Sequence, residues 1–176
     1  MTPIFDTSRI AIIGPGRLGT AFAYKFGRDN KRVAIYYHDA EVCKAINRDH
    51  LNPLHLTEDL ANRLGGMDKA PRLSPKVYAT NDLEHIVENY DFIMLAITMN
   101  RLPDFLNYLK PMIDKKAGDT CLISPIKGLI SDEITKELIT PSQLINTHLY
   151  NLKHKYQIGC IGGPFFDIEI ALGNPV

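Results

Sequence analysis

Short runs of wholly apolar residues alternate along the chain with longer segments in which apolar residues recur every three or four positions. Three runs, Ile10–Ile13, Val33–Tyr37 and Phe92–Ile97, predict strands that are buried on both faces of a parallel sheet. The helical pattern follows the first run at once, at Leu18, Phe22, Ala23 and Phe26. This alternation predicts an α/β fold: a Rossmann-like, doubly wound, mostly parallel sheet with helices on both faces.

Weaker patterns predict the remaining elements. Strands are expected at Val77–Ala79, Thr120–Ser124 and Gln157–Ile161, and helices at Ala40–Arg48, near Glu58–Leu64, from Leu83 to Val87, along Leu102–Leu109 and at Phe165–Leu172. Thr80 or Asn81 is expected to cap the helix that carries Leu83, and Ser131 to cap a further helix. Several prolines and glycines indicate that Asn52–Pro75 is a long surface excursion around one short helix.

A glycine-rich turn, Gly14-Pro-Gly16-Arg-Leu-Gly19, separates the first strand from the first helix. In such a turn the first glycine permits the tight bend, the second lets the backbone approach a pyrophosphate, and the third lets the helix pack on the strand. The N-terminus of the following helix offers unpaired N–H groups and the positive end of a dipole to the phosphates. The turn therefore predicts a dinucleotide site.

The second strand leads into His38 and Asp39, about 20 residues beyond the third glycine, where this motif places the acid that binds a ribose hydroxyl. The alternative interpretation of Asp39 is the N-cap of the Ala40–Arg48 helix. A carboxylate with no arginine nearby favours NAD over NADP as the cofactor, because it would repel a 2′-phosphate.

Ligands of open parallel sheets bind at the carboxyl ends of the strands, so the later strand ends are candidate positions as well. They are Thr98–Asn100, Lys127-Gly128 and Gly162–Asp167. Lys127 is suited to hold a carbonyl or phosphate oxygen or to donate a proton, and a solvated loop lysine is the alternative. The six histidines show no spacing typical of metal ligands, so no metal site is expected.

The composition narrows the classes of function. The 176 residues suit one globular domain, and the formal net charge of +0 argues against a nucleic-acid or anionic-membrane partner. Three dispersed cysteines predict reduced thiols in a cytoplasmic protein. No apolar run is long enough to span a bilayer, and the first residues lack the pattern of a signal peptide. The ending at Gly173–Val176 leads us to expect a truncated protein or an excised domain, with a small natural domain as the alternative.

Four blocks of sequence occur in an order that is typical of one dehydrogenase family. They are Ile10–Ala23 with the glycine turn; Tyr37–Glu41, followed by Ile46-Asn47 and Asn52…His55-Leu56; Ile126–Leu129; and Gly162–Pro175. Through them the chain resembles, over nearly its whole length, the N-terminal NAD-binding domain of the NAD(P)-dependent glycerol-3-phosphate dehydrogenase family. The last two blocks are fairly specific, whereas many dehydrogenases share the first.

The resemblance implies hydride exchange between NAD(P)H and the carbonyl of dihydroxyacetone phosphate, a triose phosphate, to give sn-glycerol 3-phosphate. The positions that would cradle the pyrophosphate are Gly14, Gly16, Arg17, Leu18 and Gly19. His38 would lie beside the adenosine, and Lys127 would face both nicotinamide and substrate. Gly163 and Phe165 would contact the substrate, and the backbone of Asp167 the cofactor. The family's general-acid lysine lies in a C-terminal helical domain, so this chain alone is expected to bind dinucleotide with little or no turnover.

The sequence departs from the family pattern at four places. Arg17-Leu18 replaces the usual Ser/Asn-Trp, Thr98-Met99 replaces Pro-Ser/His, Phe165 replaces a small hydroxyl or amide residue, and Asp167 replaces alanine. Two other functions stay open: a stand-alone dinucleotide-binding or sensing module without catalysis, and a dehydrogenase of similar fold with a different substrate. A bare sheet edge also leads us to expect association, for example into a homodimer.

Overall fold

The computed structural model describes residues 9–131, 136–152 and 156–174, and a six-stranded sheet lies at its centre. The strands are β1 (Arg9–Ile13), β2 (Arg32–Tyr36), β3 (Val77–Thr80), β4 (Phe92–Leu95), β5 (Thr120–Ser124) and β8 (Tyr156–Cys160). Their order is β3-β2-β1-β4-β5-β8, and each neighbouring pair is parallel. Two further short strands, β6 (Ile130–Ser131) and β7 (Leu138–Ile139), pair antiparallel outside this sheet.

Helices cover both faces of the sheet. They are α1 (Arg17–Arg28), α2 (Ala40–Asp49), α3 (Thr57–Leu64), α4 (Leu83–Asn89), α5 (Leu102–Lys115), α6 (Pro141–Leu149) and α7 (Asp167–Leu172). The helices α1, α2, α3 and α7 contribute buried side chains to one core cluster, and α4, α5 and α6 contribute to a second cluster. The Rossmann-like, doubly wound fold predicted from the sequence is confirmed.

The alternation of side chains along β1 explains the two core clusters. Ile10 and Ile12 belong to the first cluster, whereas Ala11 and Ile13 belong to the second. Successive residues of a strand point to opposite faces of the sheet, so a central strand that is apolar at every position supplies both cores at once. The buried run that indicated a parallel sheet in the sequence therefore has this physical basis.

Several element boundaries differ from the sequence expectations. Ser131 lies in β6 and pairs with Leu138, and the helix expected directly after it falls on residues outside the described ranges. The N-cap of α4 is Asp82 rather than Thr80 or Asn81, because its carboxylate accepts from the His85 N–H at 2.8 Å.

Two apolar runs extend beyond the elements that they predict. The strand β4 ends at Leu95, short of Ile97, and the final helix begins at Asp167 rather than at Phe165. Phe165 is 9% exposed and packs in the first core cluster from the loop before α7. Apolar character therefore indicated burial at these positions but not the secondary structure.

Candidate functional site

Two glycines of the turn between β1 and α1 are required by the fold itself. Gly14 has a φ of +102°, and a Cβ built there would lie 2.8 Å from the carbonyl oxygen of Ala96. A Cβ at Gly19 would lie 2.1 Å from the carbonyl oxygen of Gly14. Both positions would force the backbone to shift if they carried a side chain, so their role is to let α1 approach the sheet closely.

The middle glycine of the turn is not required by the fold. Gly16 has a φ of −63°, which suits any residue, and a Cβ built there meets no atom within 4 Å. It is the N-cap of α1 and, as a glycine, offers no side-chain acceptor to the first N–H groups of that helix. The turn therefore presents open backbone and unpaired amides, which is the arrangement that binds a phosphate group.

A buried asparagine ties this turn to the loop before α3. Asn52 is 1% exposed, and its Nδ2 donates to the Pro15 carbonyl oxygen and to Thr20 Oγ1, both at 2.7 Å. Its Oδ1 accepts from the backbone N–H groups of Leu54 at 2.9 Å and His55 at 3.3 Å. These bonds hold the turn, and with it the amides at the start of α1, in one orientation.

The acid predicted at the end of β2 is at the same edge of the sheet as the glycine turn. Asp39 caps α2, and its Oδ1 accepts from the N–H groups of Glu41 at 2.9 Å and Val42 at 3.3 Å. Both bonds use one carboxylate oxygen, so the capping interpretation and a ribose contact through the other oxygen are compatible. His38 is exposed, and its ring lies 4.3 Å from that of Tyr37.

Lys127 and Phe165 contact each other across two strand ends. The Lys127 Nζ donates to the Phe165 carbonyl oxygen at 3.1 Å and lies 3.9 Å from the centre of the Phe165 ring. The Phe165 ring also packs edge-on against the ring of Phe22 in α1, with the two ring centroids 6.2 Å apart. Gly163 has a φ of +131° in the same loop. Of the three residues that were predicted to contact substrate, the structure thus places Lys127 against Phe165, and Gly163 lies two positions before Phe165 in the same loop.

Arg17 contacts two carboxylates from distant parts of the chain. Its Nε donates to Asp167 Oδ2 at 2.5 Å and its Nη2 to Asp167 Oδ1 at 3.3 Å, while its Nη1 pairs with Asp59. The hydrogen bond with Asp167, and to a smaller extent that with Asp59, raises the pKa of the Arg17 guanidinium above its usual value. We call this cluster, Arg17 with Asp59 and Asp167, the Arg17 bridge. It joins the first turns of α1, α3 and α7.

A groove of about 660 Å³ lies beside the bridge. Arg17, Arg72 and residues 51–59 line part of it, and its volume is within the range of small-molecule sites. Within the described residues no group of three His, Cys, Asp or Glu side chains is placed to hold a metal ion. Nor does the described part of the chain contain a helix of the length and apolarity that crossing a bilayer demands.

Sequence reasoning gave no role to three residues that shape this site. Asn52 belongs to a family block and begins the predicted Asn52–Pro75 surface excursion, and the following Pro53 indicates a turn but not burial. Thr20 and Asp59 lie in ordinary helical patterns. The contact of Asp59 with Arg17, 42 positions earlier, leaves no local pattern that could have predicted it.

Comparison with known proteins adds a family to this geometry. A family model described as the NAD-dependent glycerol-3-phosphate dehydrogenase N-terminus matches residues 9–176. A glycerol-3-phosphate dehydrogenase [NAD(P)+] from Nitratidesulfovibrio vulgaris is 27% identical over 167 residues, and one from Acinetobacter baumannii is 28% identical. Each alignment covers 95% of this chain but only 44% and 40% of the respective relative, so the chain spans less than half of their length.

Solved structures show the same fold. The crystal structure of glycerol-3-phosphate dehydrogenase from Coxiella burnetii superposes with a TM-score of 0.73 at 21% identity, covering 96% of this chain and 44% of that chain. The enzyme from Saccharomyces cerevisiae gives a TM-score of 0.72 at 22% identity, covering 93% and 44%. At these identities the superpositions establish the fold, while the family model establishes the relationship.

Proposed function

Since the chain belongs to the NAD-dependent glycerol-3-phosphate dehydrogenase family and matches its N-terminal domain, we propose that it binds the dinucleotide of an enzyme that exchanges a hydride between NAD(P)H and dihydroxyacetone phosphate. The observation that carries the proposal is Gly16. The fold would accept a side chain at this position, yet the residue is a glycine and leaves the N-terminus of α1 open. The fold does not require this glycine, but a pyrophosphate that binds the α1 amides does, because a side chain here would block its approach.

Within this proposal Asp39 selects NAD. The residue lies at the end of β2, next to β1 in the sheet, where the adenosine ribose of a dinucleotide is held in this fold. Its carboxylate would accept from a ribose hydroxyl and would repel a 2′-phosphate. We therefore expect NADH to bind more tightly than NADPH.

On the substrate side the proposal assigns Lys127, Gly163 and Phe165. The ammonium of Lys127 is the group suited to a carbonyl or phosphate oxygen, and its contact with Phe165 orients it at the carboxyl edge of the sheet. The general acid and the remaining phosphate ligands are assigned to residues outside this chain, in keeping with its coverage of less than half of each curated relative. Reduced cysteines support a cytoplasmic location, and association into a homodimer stays a prediction.

A Gly16→Ala substitution tests the proposal. The new methyl group meets nothing in the free protein, so we expect stability to change by less than about 0.5 kcal/mol. The same methyl occupies the space through which the pyrophosphate reaches the α1 amides, so NADH affinity should fall by roughly tenfold or more. Fluorescence titration of NADH and NADPH measures the affinity, and thermal unfolding measures the stability.

The matched control is Gly118→Ala. A Cβ at Gly118 also meets nothing within 4 Å, and this residue lies before β5, at the opposite edge of the sheet. It should leave both affinity and stability unchanged. Absence of dinucleotide binding by the unaltered chain would contradict the proposal, and equal affinity of the Gly16→Ala variant would contradict the position of the pyrophosphate.

The stand-alone binding module is the second candidate, and one observation favours it. Phe165 is buried, and its carbonyl oxygen and ring both engage the Lys127 ammonium, which leaves that group less available to a substrate. Adding dihydroxyacetone phosphate to the NADH complex distinguishes the two. A further change in NADH fluorescence that requires Lys127 supports the dehydrogenase, whereas no change at saturating concentration supports the module.

A further inference from the structure

The Arg17 bridge, beside the proposed phosphate site, contains more negative than positive charges. One guanidinium faces the carboxylates of Asp59 and Asp167, so the cluster carries one formal negative charge in excess. Arg17 is also the first residue of α1, and its backbone N–H is one of the unpaired donors at that N-terminus. Two carboxylates are therefore held close to the place where a doubly negative pyrophosphate would bind.

The bridge also reaches the loop that carries the substrate-side residues, Gly162–Asp167. Asp167 ends this loop and begins α7, two positions after Phe165, whose carbonyl oxygen accepts from Lys127. Because Arg17 donates two hydrogen bonds to the Asp167 carboxylate, it fixes the end of the loop in one orientation relative to the glycine turn.

We propose that Arg17 neutralises Asp59 and Asp167 beside the pyrophosphate and, through Asp167, positions the Gly162–Asp167 loop; this inference rests on the proposed function. Without the guanidinium, both carboxylates face the bound phosphates uncompensated, and the repulsion lowers affinity for the dinucleotide. Arg17 is thus a positioning residue that determines cofactor affinity through its side chain, separately from the backbone contact expected of the turn.

The rest of the structure allows the bridge to be removed without unfolding α7. A second ion pair, Arg63 with Glu169 at 2.6 Å, joins α3 to α7. Arg28 donates to the Ile170 carbonyl oxygen at 2.9 Å near the other end of the helix. Ile170 is itself buried in the first core cluster. An Arg17→Gln variant is therefore expected to fold.

Titration of NADH into an Arg17→Gln variant is the first test. We expect affinity to fall roughly tenfold at about 0.05 M salt, and the difference from the unaltered chain to shrink at about 0.5 M salt, where charge repulsion is screened. Arg17→Lys keeps the charge and should recover most of the affinity. An Arg48→Gln variant is the control, because it removes another exposed arginine that binds an aspartate through two nitrogens, Arg48 with Asp49, without changing affinity.

The decisive variant combines Arg17→Gln with Asp59→Asn and Asp167→Asn. Removing both carboxylates removes the repulsion, so affinity should return to within about threefold of the unaltered chain. A merely structural role of Arg17 predicts the opposite, since this variant loses still more of the bridge. Equal affinity of Arg17→Gln and the unaltered chain, or no recovery in the combined variant, would overturn the inference. Failure of the unaltered chain to bind either dinucleotide would instead overturn the proposed function, and the inference with it.

Discussion

At the scale of single residues, the shape of the phosphate-binding turn depends on a buried side chain that makes no contact with the proposed ligand. Asn52 connects Pro15 and Thr20 on one side with the amides of Leu54 and His55 on the other. A buried amide that uses both ends in this way holds its partners in place, because each of them would lose a hydrogen bond if it moved away.

An Asn52→Ala substitution tests this role. We expect it to lower the free energy of unfolding by about 2 kcal/mol, since it removes four hydrogen bonds, two of them to buried atoms, and to lower the melting temperature by roughly 4–8 °C. It should also weaken NADH binding, because the turn is no longer fixed. Thermal unfolding and titration measure the two effects.

Asn107→Ala provides the comparison for that experiment. Asn107 is exposed on α5, so its removal is expected to change stability by less than about 0.5 kcal/mol. If Asn52→Ala and Asn107→Ala unfolded at the same temperature, the network around the turn would not be contributing to stability.

The residues that the sequence could and could not predict differ in a physical way. The spacing of Gly14, Gly16 and Gly19 predicts the phosphate-binding turn, because the turn and the helix that follows it are formed by neighbouring residues of the chain. The partners of Arg17 and Asn52 do not, because they come from segments that only the folded sheet brings near. Arg17 and Asp167 were noted separately as departures from the family pattern, and the structure shows that these two departures contact each other.

At the scale of elements, the start of α4 shows how a choice among adjacent polar residues is settled. Thr80, Asn81 and Asp82 are all residue types that cap helices. Thr80 belongs to β3, and its hydroxyl accepts from the Asp82 N–H at 3.1 Å, which leaves Asp82 to cap α4. The register of β3 with β2 thus decides which residue is the cap.

The two neighbouring residues make a matched pair of variants. Asp82→Ala should lower the free energy of unfolding by about 1 kcal/mol, because the His85 N–H loses its acceptor. Asn81→Ala should have no measurable effect. Urea-induced unfolding followed by circular dichroism gives both values, and a larger loss for Asn81→Ala would show that the cap had been assigned to the wrong residue.

Elements between β5 and β8 were largely missed by sequence reasoning. The helix α6 begins with a capping box in which Thr140 and Gln143 bond each other's backbone, and the four residues of this box are too short a pattern to predict a helix without a clear apolar periodicity after them. The strands β6 and β7 have two residues each and bear no periodic pattern long enough to detect. The sequence predicted the central sheet well because its strands are apolar and bounded by turn residues, conditions that these short strands do not meet.

At the scale of the whole molecule, the three cysteines report on how completely the domain is folded. Cys43 and Cys121 are buried at 4% and 9% exposure, and burial raises the pKa of both thiols. Cys160 is exposed at the end of β8. Because the thiolate is the reactive form, the two buried cysteines should carry little of it until the domain opens.

Alkylation by iodoacetamide at about pH 8, near the ordinary thiol pKa, makes this measurable. Mass spectrometry should find one rapid modification, at Cys160, and modification of Cys43 and Cys121 only as urea unfolds the domain. Rapid labelling of Cys121 in native buffer would contradict the packing described for β5.

The packing of α7 against α1 has a consequence for how the chain is made. Phe165 and Ile170 complete the same core cluster as Phe22, although nearly the whole chain lies between them. A ribosome adds about 5–20 residues per second, so the part of α1 that α7 covers stays exposed for on the order of ten seconds after α1 emerges. During that interval the nascent chain exposes apolar surface of the kind that favours aggregation. Completion of this core cluster has to wait for α7 to emerge, so a nascent chain that ends before α7 leaves this part of α1 exposed.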